Sequence, residues 1–198
     1  MTIRKVPVQP FVLTLGVIVA DQMAKLAIVR TIPMYSLGGS VMNDFIRILH
    51  VRNLGMAFSI GNSFPEGIRR LLFVVLPVIV MIVVIVYYVL HDELTIGMRW
   101  ALAGILGGGI GNLIDRIFRP FGVIDFISVK VYGFLGFDRW PVFNVADSSV
   151  VVSGIVLIVL FVLYEGRLKK AARDVESRNE ESRNNDSGND VAVYDEEE

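Results

Sequence analysis

Residues 71–90 form an uninterrupted stretch of twenty residues without a charge. An α-helix of about twenty apolar residues is long enough to cross the roughly 30 Å hydrocarbon core of a bilayer. The hydrophobic set makes up 54% of the chain, and the mean hydropathy is +0.59, which is too apolar for an ordinary soluble domain. The sequence therefore predicts an integral membrane protein built from helices.

Three more apolar segments are long enough to span a bilayer. They lie at about 6–29, 100–118 and 144–164. We expect the first to be a permanent span rather than a cleaved signal peptide, because no small-x-small cleavage site closes it and the apolar pattern resumes after Asp21. Pro77 is expected to kink the second span, as membrane helices tolerate.

The segments between the spans favour β-structure. Residues 45–51 are rich in β-branched and aromatic side chains, which predicts a short strand pair. Ile127, Val129 and Val131 alternate with polar residues, which predicts a strand with Asp125 at its head. The predicted fold is an α-helical integral membrane protein with four transmembrane helices and a small extracytoplasmic cradle that contains β-strands.

The charge divides the chain into two predicted parts. Residues 171–198 hold ten acidic residues and three arginines, net −7, so residues 1–170 carry net +6 of the total −1. The apolar pattern stops at Ala171, which predicts an acidic disordered cytoplasmic tail after a four-helix transmembrane domain of residues 1–170. The basic part suits contact with anionic membrane lipids. Its basic residues are scattered, so no nucleic-acid partner is expected.

Residue types exclude several kinds of chemistry. The chain has no cysteine, which excludes disulfides, thiolate metal sites and a cysteine nucleophile. His50 and His91 are far apart, and neither lies in an HExxH motif. We therefore expect neither a metal nor another cofactor.

Charged residues inside the spans are the candidates for function, because each costs roughly 2.5 kcal/mol or more at membrane depth. Asp21 and Lys25 are four residues apart in the first span, where a helix brings them together. A structural ion pair is the favoured interpretation and a catalytic role the alternative. In the third span Asn112, Asp115 and Arg116 share one face, and Asp115 beside Arg116 is typical of a structural salt bridge.

Glycines are dense in the third span. Gly104 with Gly108, and Gly107 with Gly111, form two small-xxx-small pairs. Such pairs let a second helix approach closely. The third span is therefore expected to pack tightly against its neighbours.

Polar residues near the ends of the spans are predicted to meet on one membrane face. Counting basic residues does not decide the orientation, but their density at both termini favours cytoplasmic termini. Four spans then place loops 30–70 and 119–143 together on the outer face. Asn53, Asp125 and Asp147 would meet there.

Two carboxylates at one site share a proton, so one can activate water while the other protonates a carbonyl oxygen. Asn144 could cap the fourth span with Asp147 in its first turn, where the helix dipole favours the charged form. This assigns the negative charge to Asp147 and the proton to Asp125. The residue types alone do not choose a catalytic pair among Asp115, Asp125 and Asp147.

Five motifs in order resemble the signal peptidase II family of bacterial membrane aspartic proteases, the lipoprotein signal peptidases. They are Asp21-x-x-x-Lys25, Asn53-x-Gly55-x-Ala57-Phe58, Gly111-Asn112-x-x-Asp115-Arg116, Val123-x-Asp125-Phe126 and Phe143-Asn144-x-Ala146-Asp147. Each motif alone is weak, whereas the set of five, spread over residues 8–167, is very specific.

The resemblance implies that residues 1–170 are an endopeptidase with Asp125 and Asp147 as its catalytic residues. The implied supporting residues are Asn53, Gly55, Asn112, Asp115, Arg116 and Asn144, with Asp21 and Lys25 as structural polar residues. The implied substrate is a diacylglyceryl-modified prolipoprotein, cut just before the lipidated cysteine at the outer face of the bacterial cytoplasmic (inner) membrane. Inhibition by globomycin and a monomeric state are expected.

Two other functions remain as alternatives. A small membrane transporter or channel subunit would also use glycine-rich helices and intramembrane charges. The short chain and the lack of paired repeats disfavour it. In a purely structural membrane protein, single Asp→Asn changes would affect stability only.

Overall fold

The structure, a computed structural model, describes residues 6–55 and 64–192, with side chains as far as residue 178. The chain divides into two compact units, Met1–Leu157 and Ile158–Glu198. Within the described residues four helices are long and apolar enough to span a membrane. They are α1 (Phe11–Thr31), α2 (Glu66–Leu90), α3 (Ile96–Phe118) and α4, which has an apolar stretch long enough to span a membrane within Val145–Arg178 and continues to Ala192. The predicted four-helix membrane fold is confirmed.

Helix α1 buries a narrow, mostly polar face inside the protein. Its buried residues are Thr14, Asp21, Lys25 and Ile28, which recur at helical spacing on one side. Val12 and Leu15, on other sides of the helix, are more than 60% exposed. Apolar side chains can face lipid without cost, so the polar stripe must find its partners inside the protein.

Helix α2 contains a π-helical turn at Leu71–Val75, just before Pro77. Pro77 has no N–H to donate to the carbonyl oxygen of Phe73, its acceptor in a regular α-helix. Arg116 Nη1 donates to that oxygen at 3.1 Å. An arginine from another helix thus satisfies the carbonyl group that the proline leaves without its usual donor. The kink expected at Pro77 stays a prediction.

Helix α3 begins where Thr95 accepts a hydrogen bond from the Met98 N–H at 3.3 Å. Arg99, which directly precedes the predicted span at 100–118, is buried in the first turn of this helix. Its guanidinium donates to the carbonyl oxygens of Tyr88 and His91 at 2.7 and 2.9 Å. Arg99 therefore satisfies carbonyl groups that the end of α2 leaves without helical partners.

The glycines of α3 allow close approach, as predicted. A Cβ on Gly108 would collide with the Ala146 carbonyl oxygen, and one on Gly111 would lie 2.9 Å from Asp21 Oδ2. The glycines thus let α1 and the start of α4 pack directly on the α3 backbone.

A three-stranded antiparallel sheet accompanies the helices. Its strands β1 (Leu37–Val41), β2 (Ile46–Asn53) and β3 (Val123–Val129) lie in the order β1-β2-β3. Asp125 pairs with Val51 across β2 and β3. A hydrophobic cluster packs the end of α1 on the sheet; it consists of Ile28, Ile32, Ile124 and Phe126. The predicted β-containing cradle is confirmed.

Two details of the predicted β3 strand are wrong. Asp125 is the third residue of the strand rather than its head, and Ser128 is buried whereas Ile127 is only partly buried. The physical reason is Arg139, which covers Ser128 by donating to its hydroxyl at 2.9 Å and to its carbonyl oxygen at 3.1 Å. A strand covered on both faces does not show a simple alternation of burial.

The second unit is helical through Ala192. The backbone from Ala171 differs here from the disordered segment that its composition predicts. Ala171, Ala172 and Arg173 have good helix propensity, and an exposed Lys169–Glu165 ion pair of 3.3 Å supports the turn before them. The domain division at residue 170 and the cytoplasmic location of the tail stay predictions.

Candidate active site

Asn144 joins the two predicted catalytic aspartates. Its Nδ2 donates to Asp125 Oδ1 at 2.7 Å, and its backbone N–H donates to Asp147 Oδ2 at 3.1 Å. Its Oδ1 accepts from the Asp147 N–H at 2.9 Å, so Asn144 also caps α4 as predicted. Asp125 comes from β3 and Asp147 from the first turn of α4. We refer to Asp125 and Asp147 as the aspartate pair.

Two more asparagines hold the other carboxylate oxygens. Asn53, the last residue of β2, donates from Nδ2 to Asp125 Oδ2 at 2.9 Å. Asn112 in α3 donates from Nδ2 to Asp147 Oδ1 at 2.7 Å. Each of the four carboxylate oxygens therefore accepts an N–H group, which fixes both side chains in orientation.

Gly55 supports Asn53, since the Gly55 N–H donates to Asn53 Oδ1 at 3.0 Å. Gly55 thus fixes which end of the Asn53 amide faces Asp125. Ala57 and Phe58, the other members of the predicted motif, lie outside the described residues.

The predicted Asp21–Lys25 ion pair is present, with 2.7 Å between Lys25 Nζ and Asp21 Oδ2. Lys25 Nζ also lies 2.9 Å from Asp115 Oδ2 and donates to Asn112 Oδ1 at 3.0 Å. The side chains of Asp21, Lys25 and Asp115 are fully buried. Lys25 therefore has a partner for each of its three N–H groups. These three residues and Asn112 form what we call the lysine network.

The lysine network also orders the backbone near the aspartate pair. Asp21 Oδ1 accepts from the Ala146 N–H at 3.0 Å, at the start of α4. Asp115 Oδ2 accepts from the Ile124 N–H at 3.1 Å, one residue before Asp125. Buried carboxylates from α1 and α3 thus hold the two backbone segments that carry the aspartate pair.

The predicted salt bridge between Asp115 and Arg116 is wrong. Asp115 pairs with Lys25 and with Arg119, the latter at 3.2 Å. Arg116 donates to the carbonyl oxygens of Phe73 and Gly55 at 3.1 and 3.4 Å. Residues adjacent on a helix point about 100° apart, so Asp115 faces α1 while Arg116 faces α2.

Gln22 is a member of the site that sequence reasoning missed. Its Nε2 donates to the Gly111 carbonyl oxygen at 3.0 Å and to Asp115 Oδ1 at 3.1 Å. Its Oε1 accepts from Arg119 Nη2 at 3.0 Å. The available signal was an amide directly after Asp21 inside an otherwise apolar span.

Burial and, to a smaller extent, the charge of Asp147 together raise the pKa of Asp125 from its ordinary value of 3.8 to about 7, against the opposing effect of the hydrogen bonds from Asn53 and Asn144. Only 3% of Asp125 is exposed. A carboxyl group with a pKa near 7 can hold a proton and release it at neutral pH.

The aspartate pair lines a cavity of about 690 Å³. Asn53, Gly55, Asn112 and Arg116 also line it, and its other walls are mainly apolar. Some of these apolar residues belong to membrane spans, namely Pro77, Val150, Val151 and Val152. A cavity with a few convergent polar groups and apolar walls is typical of a binding site.

Comparison with known proteins agrees with this geometry. The model of the family described as signal peptidase (SPase) II matches residues 13–163. Lipoprotein signal peptidases of Treponema pallidum and Treponema denticola are each 46% identical, over 75% and 81% of this chain and 80% and 92% of their own length. The lipoprotein signal peptidase of Borreliella burgdorferi is 39% identical over 81% of this chain and 91% of its own.

A solved structure described as a bacterial membrane enzyme is also similar. It is 26% identical, with a TM-score of 0.66 over 78% of this chain and 87% of that one. The predicted family, the predicted multi-pass membrane location and the predicted class of enzyme, an aspartic-type peptidase, are confirmed. Because the family model covers most of the sequence and relatives match at up to 46% identity, the chain belongs to the signal peptidase II family.

Proposed function

We propose that this protein removes signal peptides from diacylglyceryl-modified prolipoproteins by cutting just before the lipidated cysteine. The observation that carries the proposal is the aspartate pair, joined by Asn144 and lining a cavity with mainly apolar walls. Membership of the signal peptidase II family and relatives named lipoprotein signal peptidase support it.

In the proposed reaction Asp147 is the general base and Asp125 the general acid. Asp147 takes a proton from water as the water oxygen bonds to the scissile carbonyl carbon, and Asp125 gives its proton to the carbonyl oxygen. The neutral tetrahedral intermediate then breaks its C–N bond. Asp147 returns its proton to the leaving nitrogen, and Asp125 recovers its proton from the hydroxyl group as the new carboxyl group forms.

The position of each aspartate supports this division of roles. Asp147 lies in the first turn of α4, where the helix dipole favours a negative charge. Asp125 has a pKa of about 7 because it is buried, so at neutral pH it is available as an acid.

The apolar lining of the cavity supports an acylated substrate. Apolar side chains from the spans lie beside the aspartate pair, and they suit the apolar part of a signal peptide. A diacyl anchor in the membrane would hold the adjacent peptide bond near headgroup depth. The proposal places both termini in the cytoplasm and the aspartate pair toward the outer face of the inner membrane, in a metal-free monomer that globomycin inhibits.

A gel-shift cleavage assay tests the proposal. The purified full chain in detergent is incubated with a diacylglyceryl-modified prolipoprotein and, separately, with the unmodified one. Asp125→Asn and Asp147→Asn should abolish the product while the thermal unfolding temperature stays near that of the wild type. Asp174→Asn, at an exposed residue of the second unit, is the matched control and should cleave normally.

Normal cleavage by both active-site variants, or equal cleavage of unmodified substrate, would refute the proposal. Membership of a peptidase family argues against the transporter alternative. A purely structural role would leave cleavage absent in the wild type as well.

A further inference from the structure

A second cavity, of about 340 Å³, lies between the start of α2 and the end of α3. Arginine dominates its charged lining, and Glu66 is the one acidic residue among the lining residues that the structure describes. The four arginines are Arg69, Arg70, Arg116 and Arg119. We call it the arginine cavity. Among its members, Arg116 also lines the cavity of the aspartate pair, whereas Arg69, Arg70 and Arg119 do not.

The arginine cavity lies where two membrane spans end. Arg70 is followed directly by the twenty uncharged residues 71–90, and Arg119 directly follows Phe118, the last residue of α3. Helices α2 and α3 run in opposite directions through the membrane, so the start of one and the end of the other lie at the same face. Arginines at such positions lie at the depth of the lipid headgroups.

Acidic groups of the protein neutralise the arginine cavity only in part. Arg119 pairs with buried Asp115, and Arg70 pairs with Glu66 at 2.7 Å, but those last two side chains are 75% and 67% exposed. An ion pair so exposed to solvent is weak. Arg116 donates to backbone carbonyl groups, and Arg69 has no side-chain hydrogen bond or ion pair within the described part of the chain.

A further arginine adds positive charge next to Arg119. Arg52 in β2 has a buried Nε without a hydrogen-bond partner among the described residues. Burial, and then the charge of Arg119, lower the pKa of Arg52. Two guanidinium groups that repel each other at headgroup depth would both gain from a nearby anion.

The other walls of the arginine cavity are apolar. Leu54, Phe73, Val74 and Ile117 line it together with Phe118, which is 77% exposed. Leu71, one residue after Arg70, is 57% exposed. An anion with a hydrocarbon chain could therefore place its charge against the arginines and its chain along the exposed apolar side chains.

We propose that the arginine cavity binds the phosphate of an anionic phospholipid headgroup, with an acyl chain lying along Phe118 and Leu71. Planar guanidinium groups suit phosphate oxygens, and basic pockets between membrane helices can bind anionic headgroups. Arg69 and Arg70 do not line the cavity of the aspartate pair, so changing these two arginines tests lipid binding apart from the proposed peptidase reaction.

Native mass spectrometry of the purified full chain tests this proposal. The protein is equilibrated in mixed micelles with equal amounts of phosphatidylglycerol and phosphatidylcholine, and the retained lipids are counted. The wild type should retain phosphatidylglycerol preferentially. The combined Arg69→Gln and Arg70→Gln variant should weaken that retention by about tenfold or more, since each arginine near an anionic lipid contributes to binding.

Three controls distinguish a specific loss of lipid binding from a general loss of charge or of folding. Arg30→Gln removes an exposed arginine from the last turn of α1, outside the cavity, and should retain the lipid as the wild type does. Arg69→Lys should keep most of the preference. Thermal unfolding without lipid should be the same for all variants, which shows that they fold.

Several results would overturn the proposal. Equal retention of the two lipids by the wild type would do so, as would full retention of phosphatidylglycerol by the combined variant. If inorganic phosphate raised the unfolding temperature as much as phosphatidylglycerol did, a free anion rather than a lipid would be the ligand. None of these measurements depends on cleavage, so the proposal can fail while the peptidase assignment stands.

Discussion

Lys25 Nζ lies 3.0 Å from Asn112 Oδ1, and this contact fixes the direction of the Asn112 amide. With its oxygen facing Lys25, the amide presents its nitrogen to Asp147 at 2.7 Å. Asn144 Nδ2 also donates to the same Asn112 oxygen at 3.0 Å. A buried cation in α1 thus determines which hydrogen-bonding group α3 offers to the aspartate in α4.

Lys25→Met should strongly destabilise the protein. The change leaves Asp21 and Asp115 buried with one cation fewer, and breaking such a network typically costs about 3–5 kcal/mol. We expect a large fall in the thermal unfolding temperature in detergent. Adding Asp21→Asn to Lys25→Met should restore part of that loss, because it removes one of the unpaired charges. A double variant less stable than Lys25→Met alone would contradict this account.

The peptidase rate should fall as the pH rises through about 7. The pKa of Asp125 is raised from 3.8 to about 7 in the folded protein, so the group keeps its proton below that pH and loses it above. An enzyme that needs protonated Asp125 therefore loses activity on the alkaline side. The measurement is kcat/KM, which reports the titrating groups of the free enzyme, between pH 5 and 9, about two units on either side of the expected midpoint.

Asn53→Ala should raise the pH at which the peptidase activity falls on the alkaline side. The hydrogen bond from Asn53 lowers the pKa of Asp125, so its removal lets the pKa rise further. The same pH series on the variant checks this. If this midpoint stayed the same or moved to lower pH, the loss of activity would not be due to the deprotonation of Asp125.

Asn144→Ser should separate stability from activity. Serine is a good N-cap residue, so α4 should keep most of the capping interaction that alanine would lose at a cost of about 1 kcal/mol. Serine cannot reach Asp125 as the amide does. We expect kcat to fall by about 10²- to 10³-fold, as when one positioned donor is removed, with near-normal thermal unfolding. Asn144→Ala should lose both activity and stability.

Gly108→Ala should reduce both stability and activity. The new Cβ would collide with the Ala146 carbonyl oxygen, so the start of α4 must shift, and Asp147 with it. Overpacking of this kind typically costs about 1–3 kcal/mol. Gly154→Ala is the matched control, since nothing lies within 4 Å of its Cβ position. Thermal unfolding and cleavage rate measured on both variants check the prediction, which equal behaviour of the two would contradict.

The spans, the Asp21–Lys25 pair and the Asn144 cap were predictable because each depends on neighbours within one helix. A stretch of twenty uncharged residues and a spacing of four are local signals. The pairing of Val51 with Asp125 across the sheet was not predictable, since strand register depends on residues more than seventy positions apart.

The partners of Asp115 show most clearly what sequence spacing leaves undecided. Its neighbour Arg116 was the expected partner, yet Asp115 forms an ion pair with Lys25 of another helix. Which cation a buried carboxylate takes depends on how the helices rotate against each other, and small residues such as Gly111 set that rotation through packing. Sequence spacing likewise could not select the catalytic pair among the aspartates, so the prediction of Asp125 and Asp147 depended on the family motifs.

The bond from the Ala146 N–H to Asp21 Oδ1 joins residues 125 positions apart. The first span is synthesised before the last, so the Asp21 carboxylate lacks the Ala146 N–H as a partner while most of the chain is being made. Asp147 gains its place only when the final helix arrives. In the proposed mechanism a nascent chain without α4 lacks Asp147, so we expect cleavage to begin only after the fourth span is inserted.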